Sequence, residues 1–215
     1  MTYLDLVNKT LLRLREEEVA SVNDTDYSKL IGIFVNDAIR YVESSWDWSV
    51  LRTTFPITTV AGTRLYPLTD FGVRSEVLYV HDETNNRVIP QESLQRIREL
   101  SLGTDNAQGT IQYYALEGVD SNGDVQIRFY QTPDSAVNIN VYGVKRDNVL
   151  VNDTDTTDLP DAIIAQFAFA YALRERGETG GQTVSEQVLL AQADLTNAVA
   201  LEANLRPEEV NWNVT

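Results

Sequence analysis

The chain contains no cysteine, one histidine (His81) and one methionine. Without cysteine there is no disulfide, no thiolate metal ligand and no cysteine nucleophile. A single imidazole leaves nothing to complete a His-based zinc site or a spare base for a Ser-His-Asp triad. Positive charge is scarce as well: 17 Lys and Arg stand against 32 Asp and Glu, for a net charge of −15. A conventional nucleic-acid binder needs a basic face to displace counterions from phosphates, and this balance argues against one. The densest basic group in mid-chain, Arg96-Ile97-Arg98, reads as a solvated helix face. Long hydrophobic runs are missing too. The longest, Ile163 to Leu173, is interrupted by Gln166 and is too short to span a bilayer. Met1-Thr2-Tyr3-Leu4-Asp5 shows no basic region followed by an apolar core, so the sequence predicts a chain made and kept in a cytoplasm, away from membranes. What the chain does have is 215 residues, 43% of them hydrophobic, enough for a sizeable globular core.

Its pattern is helical at both ends and β in the middle. Leu4, Val7, Leu11 and Leu14 recur at helical spacing and predict a first helix over residues 2–18, capped by Thr2 with Asp5 at the third position. Asn23-Asp24-Thr25-Asp26 breaks the chain and supplies the next cap. Tyr27, Leu30, Ile31, Phe34, Val35, Ala38, Tyr41 and Val42 follow the i, i+3, i+4, i+7 template and predict a second helix ending near Ser45. From Leu51 the period becomes two. Strands are expected at 52–60, 64–66, 75–81, 86–90, 110–117, 125–131 and 136–145, with one apolar and one polar face, which implies antiparallel sheets over a core. Asn122-Gly123 marks a hairpin, and Ser93 to Leu100 forms a short helix. After an acidic connector, Val151 to Asp158, Leu159-Pro160-Asp161 starts a third helix to Arg176, alanine-rich and apolar on most faces. Thr183-Val184-Ser185-Glu186 is a capping-box pattern opening the last helix, which Arg206-Pro207 closes. The expected fold class is therefore α+β: a four-helix bundle from the N- and C-terminal helix pairs (1–48 and 159–205), an inserted antiparallel β domain with its connector (49–158), and a C-terminal tail (206–215).

No constellation of residues makes an active site, and neither a cofactor nor a metal is expected. Asp120-Ser121-Asn122-Gly123-Asp124 begins like a calcium loop, but Val125 and Gln131 stand where glycine and an acidic ligand are needed, so it reads as a hairpin turn. Asp153, Asp155 and Asp158 either hold a cation loosely or are solvated and cap the next helix. Glu16-Glu17-Glu18 end the first helix at its negative terminus, where carboxylates are unfavourable; they sit in water or meet a basic surface. His81 lies on a strand with no other ligand cluster near it. Gly180-Gly181 lacks the strand and the Lys-Ser/Thr of a phosphate loop. Trp46 and Trp48 have the area to anchor the bundle to the β domain, or to stack on sugars or bases.

Three stretches carry a resemblance. The first is the helix pair ending Ile39-Arg40-Tyr41-Val42-Glu43-Ser44-Ser45-Trp46-Asp47-Trp48. The second is Phe55 to Leu68, with its Thr-x-x-Gly-Thr-x-x-Tyr-x-Leu-like hairpin. The third is Leu159-Pro160-Asp161 opening an apolar helix that ends in an Arg-rich turn. Together they resemble the head-to-tail adaptor (connector) proteins of tailed bacteriophages, the short-tailed-phage type. The resemblance implies a non-enzymatic virion protein at the neck, forming a dodecameric ring with itself. That ring would dock below the portal protein, carry tail or nozzle proteins on its far side, and pass double-stranded DNA without specific binding. Val210 and Trp212, on alternate positions of the tail, are the anchors expected to bind the portal. Two rival readings stand beside it: another neck protein (a stopper or tail-tube gatekeeper), and a carbohydrate-binding β-sandwich module with an aromatic platform.

Overall fold

Chain order runs α1 (Tyr3–Arg13), α2 (Asp26–Ser45), a 3-10 turn (Ser49–Leu51), β1 (Arg52–Thr58), β2 (Leu65–Leu68), β3 (Glu76–Asp82), β4 (Arg87–Ile89), α3 (Leu94–Ser101), β5 (Gln108–Gly109), β6 (Tyr113–Val119), β7 (Val125–Tyr130), β8 (Thr132–Pro133), β9 (Asn138–Val144), α4 (Asp161–Glu175) and α5 (Gln182–Asn204). The computed structural model describes residues 1–69, 71–102, 108–146, 149–177 and 182–204. Chain contacts divide the molecule into two units, Met1–Val50 with Asn148–Thr215, and Leu51–Asp147. Among the described residues the fold is α+β, with five α-helices and two main antiparallel sheets.

In the helical unit, α1 opens on a capping box: Thr2 Oγ1 accepts from the Asp5 N–H and the Asp5 carboxylate accepts from the Thr2 N–H, both at 3.1 Å. The helix stops at Arg13, five residues before the expected end. Arg15 adopts φ 61°, and the Glu16 and Arg15 N–H groups reach back to the Leu11 and Leu12 carbonyls, the paired closure of a Schellman motif. The Asn8 side chain then binds both the N–H and the C=O of Val19, turning the chain back along the helix. α2 is capped by Thr25 with Ser28 and buries Ile31, Val35, Ala38, Ile39 and Val42 completely. Gly32 lets α1 approach: a Cβ there would strike the Tyr3 hydroxyl. α4 buries residues on all sides, as its composition predicts. It packs against α1, α2 and α5, and α1 packs against α2. The principal helix partner of α5 is α4. Its first residue is Gln182, so Thr183 lies inside the helix and not at its N-cap.

In the other unit, a four-stranded sheet of order β1-β9-β3-β4 and a three-stranded sheet of order β2-β7-β6 share one core that includes Leu68, Phe71, Val80, Ile127, Phe129 and Ile139. Pairing within both sheets is antiparallel. Parallel pairing occurs in two short places, against the expectation of antiparallel strands throughout: β5 with β8 over two residues, and the bridge Gln91↔Tyr114. The expected strand from Thr110 starts only at Tyr113. β1 and β2 are edge strands, and each holds a proline, Pro56 and Pro67. Proline cannot donate to a ladder, which confines it to such edges. Asp120 Oδ1 accepts from the Asn122 and Asp124 N–H groups and Gly123 takes φ 89°, making the 120–124 segment the turn between β6 and β7.

Candidate functional site

A concave surface of the helical unit lies between α2 and α4. Phe34 and Tyr41 stand seven residues apart on α2, and Phe167 and Tyr171 four apart on α4, so each pair shares one helix face. Phe34 meets Tyr171 edge-on at 6.4 Å, Tyr41 tilts over Phe167 at 4.8 Å, and Phe167 lies 6.3 Å from Tyr171. The resulting groove, about 550 Å³, is lined by Phe34, Asp37, Tyr171, Arg174 and Glu175. Burial, followed by Tyr41 and the Asp37 carboxylate, raises the Tyr171 phenol above its ordinary pKa. The phenol is therefore a neutral hydrogen-bonding group at any physiological pH. Phe34 and Tyr171 give the groove an aromatic floor, and Asp37, Arg174 and Glu175 place three charges at its rim.

Around that groove the helical unit is locked by side chains far apart in sequence. Arg176, just past α4, donates to the Tyr27 hydroxyl at 2.7 Å and to the Leu14 carbonyl at 3.3 Å. It also pairs with Glu16 and lies 5.0 Å over the Tyr27 ring. The basic surface that meets the Glu16-Glu17-Glu18 segment at Glu16 thus belongs to the same chain. The acidic connector is likewise engaged. The Asp155 and Asp153 carbonyls accept from the Tyr3 and Leu4 N–H groups at the start of α1, and the Asp153 carboxylate accepts from Val22 N–H. Asp155 folds its carboxylate onto the Asn152 and Val151 N–H groups, which lower its pKa. The Asn36 amide grips both the N–H and the C=O of Leu150. Among the described residues, no three His, Asp or Glu side chains gather in a way that would hold a metal ion.

The model of the family described as SU10 adaptor protein matches residues 1–211. The chain belongs to this adaptor family. No curated protein matches it. Membership makes the chain a phage adaptor, a structural class and not a known enzyme class, and implies association with portal and tail proteins at the virion neck. No described helix is long and apolar enough to cross a membrane.

In the adaptor, Trp48 is buried and its indole N–H donates to the Val42 carbonyl at 2.8 Å. It thereby satisfies an orphan acceptor at the end of α2 and is not an exposed stacking platform. Trp46 is half-buried at the C-cap of the same helix. Val210 and Trp212 lie outside the described residues, as does Gly180-Gly181. His81 sits on β3 opposite Asn140 and Val88. Two features escaped the sequence reading. Asp82 is fully buried, accepts from the Asn85 N–H and side-chain amide at 2.9 and 2.8 Å, and pairs with Arg87, closing the β3–β4 turn. The aromatic groove was visible only as two helical stripes. Phe34 and Tyr171 line it, and the i, i+7 and i, i+4 spacing of the four-ring cluster to which they belong was the available signal.

Proposed function

We propose that the adaptor works as one subunit of a closed ring, a dodecamer, seated beneath the portal, linking capsid to tail and lining the channel through which DNA passes. The observation that carries this reading is the uneven division of charge. The helical unit holds eight basic and twenty acidic residues, net −12, and the β unit nine and twelve, net −3. A strongly acidic unit repeated around a bore repels DNA within about 8 Å of the wall at physiological salt, so the polymer slides and does not stick. The same self-repulsion keeps isolated copies apart until a template gathers them. Val210 and Trp212 are the anchors we assign to the portal, and tail or nozzle proteins take the far side. The test is imaging of the chain mixed with purified portal, beside sizing of the chain alone at low and high salt. The expected result is a weakly associating chain that closes into twelve-fold rings on the portal. A compact dimer without portal affinity contradicts the proposal.

A further inference from the structure

The turn between β6 and β7 carries a reactive pair that the ring reading does not use. Asn122 is followed by Gly123, and no other asparagine of the chain precedes a glycine. Asparagine is chemically labile: the backbone nitrogen of the next residue can attack its side-chain amide carbon. Glycine obstructs that attack least, because it has no Cβ and its backbone moves freely. The surroundings are open. Ser121, Asn122 and Gly123 are all exposed, and a Cβ built on Gly123 would meet no atom within 4 Å. The Asn122 side-chain amide makes no hydrogen bond among the described residues. Other asparagines are tied down: the amides of Asn8, Asn36, Asn85, Asn140 and Asn152 donate to Val19, Leu150, Asp82, Glu83 and Asp155.

One restraint opposes the attack. The Gly123 N–H donates to the Asp120 carbonyl at 3.2 Å, and the Asp120 N–H donates to the Asp124 carbonyl at 2.9 Å. The Asp120 carboxylate accepts from the Asn122 and Asp124 N–H groups at 2.8 and 3.0 Å. This is a hydrogen-bonded β-turn with aspartate first and glycine fourth, and it holds the attacking nitrogen in place. An exposed hairpin tip opens locally far more often than a core strand.

We propose that Asn122 is a site of spontaneous deamidation, and that opening of the Asp120–Asp124 turn sets its rate. The Gly123 nitrogen bonds to the Asn122 Cγ and gives up its proton. The Cγ–Nδ2 bond breaks, and the amide nitrogen takes that proton and leaves as ammonia. A cyclic imide remains, and water hydrolyses it. Cleavage at Cγ gives aspartate, and cleavage at the main-chain carbonyl gives isoaspartate. No oxidant or reductant takes part. Both products add one negative charge to the hairpin tip, and isoaspartate also lengthens the backbone there by one carbon.

The test incubates the full chain, folded, in mildly alkaline buffer and digests samples with trypsin over time. The peptide Glu99 to Arg128 holds Asn122 and, as internal control, Asn106, which precedes alanine. The expected result is a growing mass gain of one unit, placed at Asn122 by fragmentation and split between aspartate and isoaspartate, with Asn106 lagging far behind. Asp120→Ala keeps the Asn122-Gly123 pair and removes the carboxylate acceptor. It is expected to deamidate several-fold faster, with its melting curve showing it folded at the incubation temperature. A folded chain that keeps its mass at Asn122, while the same chain in guanidinium gains it, overturns the proposal. Equal rates in Asp120→Ala and the unaltered chain overturn the control of the rate by the turn.

Discussion

Arg15 illustrates how a single position can work against the fold it serves. Its φ of 61° is the left-handed conformation that a Schellman closure demands at that place, and side chains other than glycine hold it at a cost of roughly 1 kcal/mol. Arg15→Gly is expected to stabilise the chain by about 0.5–1 kcal/mol, read as a higher midpoint in urea. A lower midpoint would mean that the arginine makes a contact worth more than the strain. Glu117 works the other way. The Arg128 guanidinium first, and Arg98 at 2.9 Å second, hold its carboxyl below the ordinary 4.5, outweighing burial. A folded-state pKa below the unfolded one contributes stability that is whole above pH 4.5 and is lost as pH falls through the folded value. Asp5 and Asp155, also lowered, add to acid sensitivity in the same direction. Glu117→Gln is expected to cost about 1–2 kcal/mol at pH 7 and much less near pH 3, compared by denaturant titration at the two pH values. Thr2, and the segment Asn23 to Asp26 that holds the Thr25 cap, were readable because a cap and its target lie three residues apart. The Arg176–Glu16 and Asn8–Val19 links were not, because nothing local in a sequence marks a partner chosen by tertiary packing.

At the level of elements, β9 is the most demanding strand, hydrogen-bonded on one side to β1 and on the other to β3. Gly143 sits where a Cβ would come within 2.6 Å of the Glu76 carbonyl and 2.7 Å of the Phe71 ring. Backbone on one side and a fully buried ring on the other leave little room to yield. Gly143→Ala is expected to destabilise the chain by about 3 kcal/mol, measured as a fall in melting temperature. A loss under 1 kcal/mol would show that Phe71 can move aside. Alternation made the long strands legible: Val125, Ile127 and Phe129 against Gln126, Arg128 and Tyr130 become β7 directly. It could not reveal that Gly118 takes φ 80° or that the β6–β7 register shifts between Leu116 and Val119, since a bulge leaves the surrounding pattern intact. The expected end of the first helix at residue 18 failed for a related reason. Acidic residues are compatible with helix, and only the Leu11 and Leu12 carbonyl closures say where the turn comes.

For the molecule as a whole, the switch of period near Trp48 and back near Pro160 was enough to read α+β. It was not enough to say which helices touch. An apolar stripe says that a face is covered and not by what, so Phe34 and Tyr171 looked like ordinary core positions when they line an open groove. The tail can be tested only functionally. Deleting Val210 to Thr215 is expected to leave the thermal midpoint unchanged and abolish portal binding. A stability loss of about 3 kcal/mol, as for a buried tryptophan, with binding retained, would place Trp212 in the chain's own core.

The two edge prolines bear on what happens when copies of this chain are brought together. Tethering on a common template raises the effective concentration of neighbouring domains to the order of millimolar, a regime in which exposed strand edges recruit one another into cross-β stacks. Pro56 on β1 and Pro67 on β2 each withdraw a donor from such an edge. Restoring one with Pro56→Val is expected to raise light scattering in concentrated samples, and unchanged scattering would show that the edge is guarded by something else. On this view each proline removes one edge from which copies packed shoulder to shoulder could seed amyloid, leaving β4 and β6 as the edges without one.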